Sequence, residues 1–377
     1  MVKETVKLDR ATISGRRNYQ LDFLRCIFTF FTVLQHSCVI GTYGINATWV
    51  NAGNFAVEFF FMISGYFMAA SWEKTANNYK NDNLINTINF MKHKISSIIF
   101  PYIVGFLVAM IVVPIPKIIS KSVSVNDLIE NVIRHIPEFF GIFGSGFTIY
   151  NINGNSASWY ISCMLLSMLI LYPILCRFKK RFLYIACPVI GILLLAYRCN
   201  QFEHFGTWTE WTILPVSTGL IRGIGGICFG GFIYILGQHL RFISFTKAGH
   251  IILAMAEICC WLVIFASIIF LKSFRTHYGI EVLMIPVTAV TLSGQSALSK
   301  LFNGKWWGIL GKSMIYIYMA HWPIVLFMKE GYCTQNYWIN TLILFILSII
   351  LAFVESLVCK LIKELLFKMK KTLIIST

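Results

Sequence analysis

Arg25 and His36 face the same way from an otherwise apolar run, Arg25-Cys26-Ile27-Phe28-Thr29-Phe30-Phe31-Thr32-Val33-Leu34-Gln35-His36. On an α-helix, eleven steps return to within roughly 20° of the starting direction and rise about 16 Å. One stripe of one helix therefore carries a cation and an imidazole at two depths. Ionisable side chains inside a membrane-spanning helix are costly and mark functional paths. A neutral imidazole is the usual general base near pH 7, and a neighbouring carboxylate can orient it and steady its cation. Glu58, in the next apolar run, is the candidate carboxylate, and His321 is a second histidine far along the chain. Trp159 and Tyr160 are an aromatic pair at the start of a later apolar run. Arg25, Lys94 and Arg222 are cations suited to an anionic group such as a phosphate. Each has a plainer reading. An intramembrane histidine also serves as an interhelical hydrogen-bond partner. Glu58 could pair with a cation, Arg222 could serve a buried carboxylate such as Glu257 or Glu355, and the aromatic pair could anchor at the interface.

These residues need elements to hold them. Of 377 residues, 57% are hydrophobic and 13% charged, with a mean hydropathy of +0.71. That is the composition of an all-α polytopic membrane protein. About ten runs are long enough to span a hydrocarbon core: 21–42, 53–71, 95–116, 157–176, 182–198, 212–236, 250–271, 279–298, 306–328 and 338–362. Pro188 is expected to break the fifth, and the ninth contains Pro323. If the spans alternate in direction, 22 of the 32 Lys and Arg fall in the segments, or at the span end Lys360, on the side shared with the N-terminus, and 7, counting the span end Arg198, fall opposite. The positive-inside rule then puts both termini in the cytoplasm of a cell (plasma or inner) membrane. The net charge of +16 is topological on this reading, and no nucleic-acid motif accompanies it. The division is 1–20 as a cytoplasmic segment without signal-peptide features, 21–362 as one transmembrane domain and 363–377 as a basic cytoplasmic tail. Residues 117–156 form the longest outer loop and contain the turn-rich run Asn151 to Ser156. Glycines 223, 225, 226, 230 and 231 crowd span six, as in close helix packing. Eleven scattered cysteines read as apolar fillers. With these directions His36, Glu58, His321 and the Trp159–Tyr160 pair share one level, while Arg25 and Lys94 lie low, near the cytoplasm, and Arg222 lies mid-membrane.

Four blocks carry a resemblance. Leu21-Asp22-x-Leu24-Arg25 followed by His36 resembles the first-helix R-x10-H signature of the membrane acyltransferase-3 family. Ala56-Val57-Glu58-Phe59-Phe60-Phe61-Met62-Ile63-Ser64-Gly65-Tyr66 is similar to its G-V-D-x-F-F-x-x-S-G-F block, with Ala and Glu for Gly and Asp. Ser158-Trp159-Tyr160 resembles its W-Y motif. Leu310-Gly311-Lys312-Ser313, with Tyr318, His321 and Pro323 following, resembles its late block. The family's R-x-x-R before span three stands here as Lys94-Ile95-Ser96-Ser97, without the second cation.

The resemblance implies ten spans and transfer of an acyl group, usually acetyl, from cytoplasmic acyl-CoA to a carbohydrate hydroxyl across the membrane. It implies His36 as the catalytic histidine and Arg25 as its partner in the signature. The expectation is therefore an acetyl-CoA-dependent O-acyltransferase without a metal. His36 is the base and Glu58 its orienting carboxylate. Arg25, Lys94 and Arg222 lie on the donor side, and Trp159, Tyr160 and His321 on the side of an extracytoplasmic glycan. A carrier of an acyl donor or small polar solute is the alternative, since His, Glu and Arg within spans also suit proton coupling.

Overall fold

The computed structural model describes residues 17–41, 53, 55–75, 82–142, 154–202, 216–271, 273–302 and 304–376. Among the described residues it is all-α, with ten long helices that overlap the expected runs. They are α1 (Tyr19–Ser37), α2 (Phe55–Thr75), α3 (Asn83–Val112), α7 (Ser158–Phe178), α8 (Cys187–Gln201), α9 (Thr218–Phe242), α10 (Lys247–Phe270), α11 (Phe274–Ser293), α12 (Lys305–Lys329) and α13 (Tyr337–Ser376). Three short helices lie between α3 and α7: α4 (Ile115–Ile119), α5 (Val125–Arg134) and α6 (Ile136–Phe139). Among the described residues, eight helices are long and apolar enough to cross a membrane. The two long helices outside that set are α1, which carries Asp22, Arg25 and His36, and α11, which carries Arg275, His277 and Glu281. Polar content dilutes their apolar signal, and that content belongs to the sites described below.

Local chemistry sets the helix starts. Asn18 caps α1 through Leu21 N, Asp82 caps α3, and Ser217 and Thr246 cap α9 and α10. Two boundaries differ most from expectation. α3 begins at Asn83, a dozen residues before the expected span, because its cap lies ahead of a polar but helix-competent stretch. α13 runs on to Ser376, so the expected tail continues a helix. Pro188 does not break the fifth span. It sits in the first turn of α8, and the π-helical turn (Phe182–Ala186) that leads into it carries the helix past the missing N–H.

The most extensive helix contact is between α2 and α9, followed by α1 with α12 and α12 with α13. Glycine makes the first possible. A Cβ on Gly230 would lie 2.0 Å from Met62 O, one on Gly65 2.1 Å from Ile227 O, and one on Gly226 2.5 Å from Phe61 Cβ. Gly223, Gly226, Gly230 and Gly231 of span six are packing residues, as their spacing suggested, whereas Gly225 has room for a Cβ. None of the eleven cysteines is joined in a disulfide among the described residues. The periphery is apolar, with Ile251, Ile252, Met255 and Leu262 of α10 turned outward.

Candidate active site

His36 closes α1 and is half-buried. Its Nδ1 lies 2.8 Å from His321 Nε2, and the two rings stack 5.0 Å apart, tilted by 12°. The other nitrogen of His321, Nδ1, lies 2.7 Å from the Tyr318 carbonyl. A carbonyl can only accept, so His321 Nδ1 carries a hydrogen. His321 Nε2 is then the lone-pair nitrogen of a neutral ring, and His36 Nδ1 must donate to it. The chain of bonds leaves the lone pair of His36 on Nε2. Trp322 packs edge-on to the His36 ring at 4.9 Å and Phe28 anchors the same helix against Phe59, so ring and helix are both held.

Thr32, Gln35, His36, Gly53, Val57, Trp159 and Tyr318 line a cavity of about 30 Å³, room for a water or two. Gly53 sits so close to α1 that a Cβ there would lie 2.4 Å from Gln35 Cβ, and its N–H donates to Gln35 Oε1. Thr29 and Thr32 fall on the Arg25–His36 stripe, four and seven residues above Arg25. The stripe is thus hydroxyl-lined between its two ionisable ends, a feature that an apolar reading of α1 passes over.

At the lower end, Asp22 organises the cations. Its carboxylate takes Arg17 Nε at 2.5 Å and Arg25 Nη1 at 3.1 Å. Arg17 also donates to Gly308 O at 2.8 Å. Gly311 makes room for this group, since a Cβ there would lie 2.4 Å from Asp22 Oδ1. Arg25 rests against the Phe67 ring, and Lys94 is within electrostatic reach of it.

Several expectations need correction. Glu58 does not orient His36. Its Oε1 accepts from Arg222 Nε at 2.7 Å and from Arg198 Nη2 at 3.0 Å, and Arg198 also pairs with Glu281. Two buried arginines demand two carboxylates, so Glu58 and Glu281 are used as counter-ions. Arg222 accordingly sits in this network and not with Arg25 and Lys94. Its guanidinium lies 4.9 Å from the Trp159 ring, so the network backs one wall of the His36 cavity. His321 is the hydrogen-bond partner of His36, not a separate acceptor-side residue. Trp159 and Tyr160 part company. Trp159 lines the cavity, whereas the Tyr160 hydroxyl meets Ser64 at 3.2 Å and its ring packs on Phe61 and Tyr318. Arg198 and Glu281 were missed because both stand at the ends of apolar runs, where charges ordinarily anchor topology. Gln35 and Tyr318 were legible only as neighbours of His36 and His321. Among the described residues, no group of three or more His, Cys, Asp or Glu side chains is placed to hold a metal ion.

One further contact ties the loop to the site. A helix N–H bonds the carbonyl four residues back, and Pro323 has none to give to Met319 O. Asn155 Nδ2 fills the vacancy at 2.8 Å. The Asn151–Ser156 run thus reaches α12 two residues from His321. Residues 151–153 of the run lie outside the described residues.

A membrane-embedded bundle with a hydrogen-bonded imidazole pair at one end of a polar stripe and cations at the other defines the class. The acyltransferase domain model of the acyltransferase-3 family matches residues 18–358, from the cap of α1 into α13. The chain belongs to the membrane acyltransferase-3 family and is an acyltransferase. Comparison with curated proteins gives no match, and neither does comparison with solved structures.

Proposed function

We propose that the protein moves an acyl group, most simply acetyl, from cytoplasmic acyl-CoA to a hydroxyl of an extracytoplasmic carbohydrate, with His36 as general base. The observation that carries this reading is the bond chain from Tyr318 O through His321 to His36, which presents His36 Nε2 as a lone pair beside a cavity. His36 Nε2 takes the acceptor hydroxyl proton as the oxygen attacks the thioester carbonyl. The His36 cation keeps its Nδ1–H on His321 Nε2. The carbon–sulfur bond breaks, and the thiolate recovers the proton from His36 Nε2. Thioester and alcohol give ester and thiol, with atoms and charge balanced. Arg25 and Lys94 attract the donor phosphates at the cytoplasmic end. The hydroxyl-lined stripe is the path of the donor arm, over a distance of about 16 Å. Trp159 provides the wall against which an acceptor ring rests.

The test is transfer of labelled acetyl from acetyl-CoA to glycan in sealed membranes, for wild type and His36→Ala at matched expression. Label on glycan with release of free CoA, lost in His36→Ala, is expected. Transfer that survives His36→Ala overturns His36 as base. Flux of label without release of CoA would make the protein a carrier.

A further inference from the structure

Helix α5 is built inside out for a water-soluble loop. Val125, Ile129, Val132 and Ile133 fall within an arc of about 100°, and Ile136 and Phe140 follow just beyond its end. All six are 47 to 72% exposed. Asn126, Asp127, Glu130, Asn131 and Arg134 occupy the opposite face. The helix is well made, with a Ser124–Asp127 capping box and a Glu130–Arg134 pair, yet buries none of its residues. In a soluble loop such a stripe would turn to the core.

Depth decides what covers it. α5 ends at His135, which is buried, and the following turn is pinned to the bundle at Glu138. The Tyr102 hydroxyl donates to Glu138 O. Glu138 Oε1 accepts from Asn155 N at 3.1 Å and Ser158 Oγ at 3.0 Å, and Asn155 is in turn fixed to Met319 O. Tyr102 lies ten residues before the end of α3 at Val112, so this anchor is about 15 Å back along the α3 axis. The segment that left the membrane through α3 returns to the depth of the His36 site. The outward apolar surface is continuous along the way, through Leu107, Ile111, Ile118 and Ile119.

We propose that the apolar stripe of α5 lies against the acyl chains of the leaflet on the His36 side of the membrane. The stripe is a lipid-binding surface, and the Glu138–Asn155–Met319 contacts link it to α12 beside His321. The inference rests on membrane residence and not on acyl transfer, so the two fail separately.

A photoreactive benzoylphenylalanine placed at single positions of the full chain in liposomes tests it. Ile129 and Ile133 report the stripe, Asp127 and Asn131 the polar face, and Ile252 on α10 gives the lipid-facing reference. These side chains are surface-facing, and intact monodisperse protein is required of each variant. Lipid adducts at Ile129 and Ile133 comparable to those at Ile252, and several-fold fewer at Asp127 and Asn131, are expected. Adducts from the stripe to a second copy or to another segment of the chain would overturn the proposal. So would stripe positions that yield no lipid adduct while Ile252 does.

Discussion

Glu58→Gln and His36→Gln remove side chains from neighbouring parts of one bundle and are expected to fail in different ways. Glu58 holds Arg198 and Arg222 in a dry interior. Removing its charge leaves two buried cations facing Glu281 alone, a loss of about 3–5 kcal/mol. The readout is a lowered thermal unfolding midpoint of the purified protein, with activity falling as the fold does. His36 makes one hydrogen bond and lines a cavity, so His36→Gln should unfold near the wild-type temperature. On the proposed reaction its turnover falls by about 10²-fold or more, the usual contribution of a general base. His321 is a positioning residue. His321→Phe cannot accept from His36 Nδ1, so the His36 tautomer is no longer fixed, and it should lower kcat with little change in KM. His321→Gln, which keeps an acceptor, should recover part of that loss. At this scale the sequence disclosed His36 and Arg25, because an ionisable pair on an apolar helix is conspicuous. It misassigned Glu58, because no local feature tells a counter-ion from a catalytic carboxylate when the partner arginines arrive from helices 140 and 164 residues away.

Among the elements, the eight helices long and apolar enough to cross a membrane were legible, since apolar length is a one-dimensional signal. Their termini and contacts were not, because caps and prolines act through partners that only the fold supplies. Pro323 is the clearest case: it reads as an irregularity in α12 and proves to be the gap that Asn155 fills. Pro323→Ala restores the α12 bond to Met319 O, and Asn155→Ala removes its substitute. A double-mutant cycle read by thermal unfolding is expected to be non-additive, with Asn155 contributing less in the Pro323→Ala background. The glycines of α9 make a second pair. Gly230→Ala pushes a Cβ into the α2 backbone and should strongly destabilise the protein. Gly225→Ala meets Leu194 Cβ at 3.5 Å, an ordinary contact, and should be tolerated. Comparing the two by yield of folded protein tests the α2–α9 crossing without touching the His36 site.

For the molecule as a whole, the proposed reaction has two sides. Arg25→Ala and Lys94→Ala are expected to raise KM for acetyl-CoA several-fold while changing kcat little, in an assay where donor is supplied to the cytoplasmic face alone. Excess glycan should not rescue them. The ends of the stripe were legible in the sequence, as was their separation, because both follow from helix geometry. The matter between them was not. The cavity beside His36 extends to Thr32 and is walled by Trp159 and Tyr318, and Arg25 is not among its lining residues. An elementary charge crossing a membrane exchanges about 2.3 kcal/mol per 100 mV, so a reaction that moved one along this stripe would depend on the membrane potential. On the proposed reaction the proton leaves the acceptor and returns to the thiol through one nitrogen, and no net charge crosses. Collapsing the potential with an ionophore should then leave the rate of acetyl transfer unchanged.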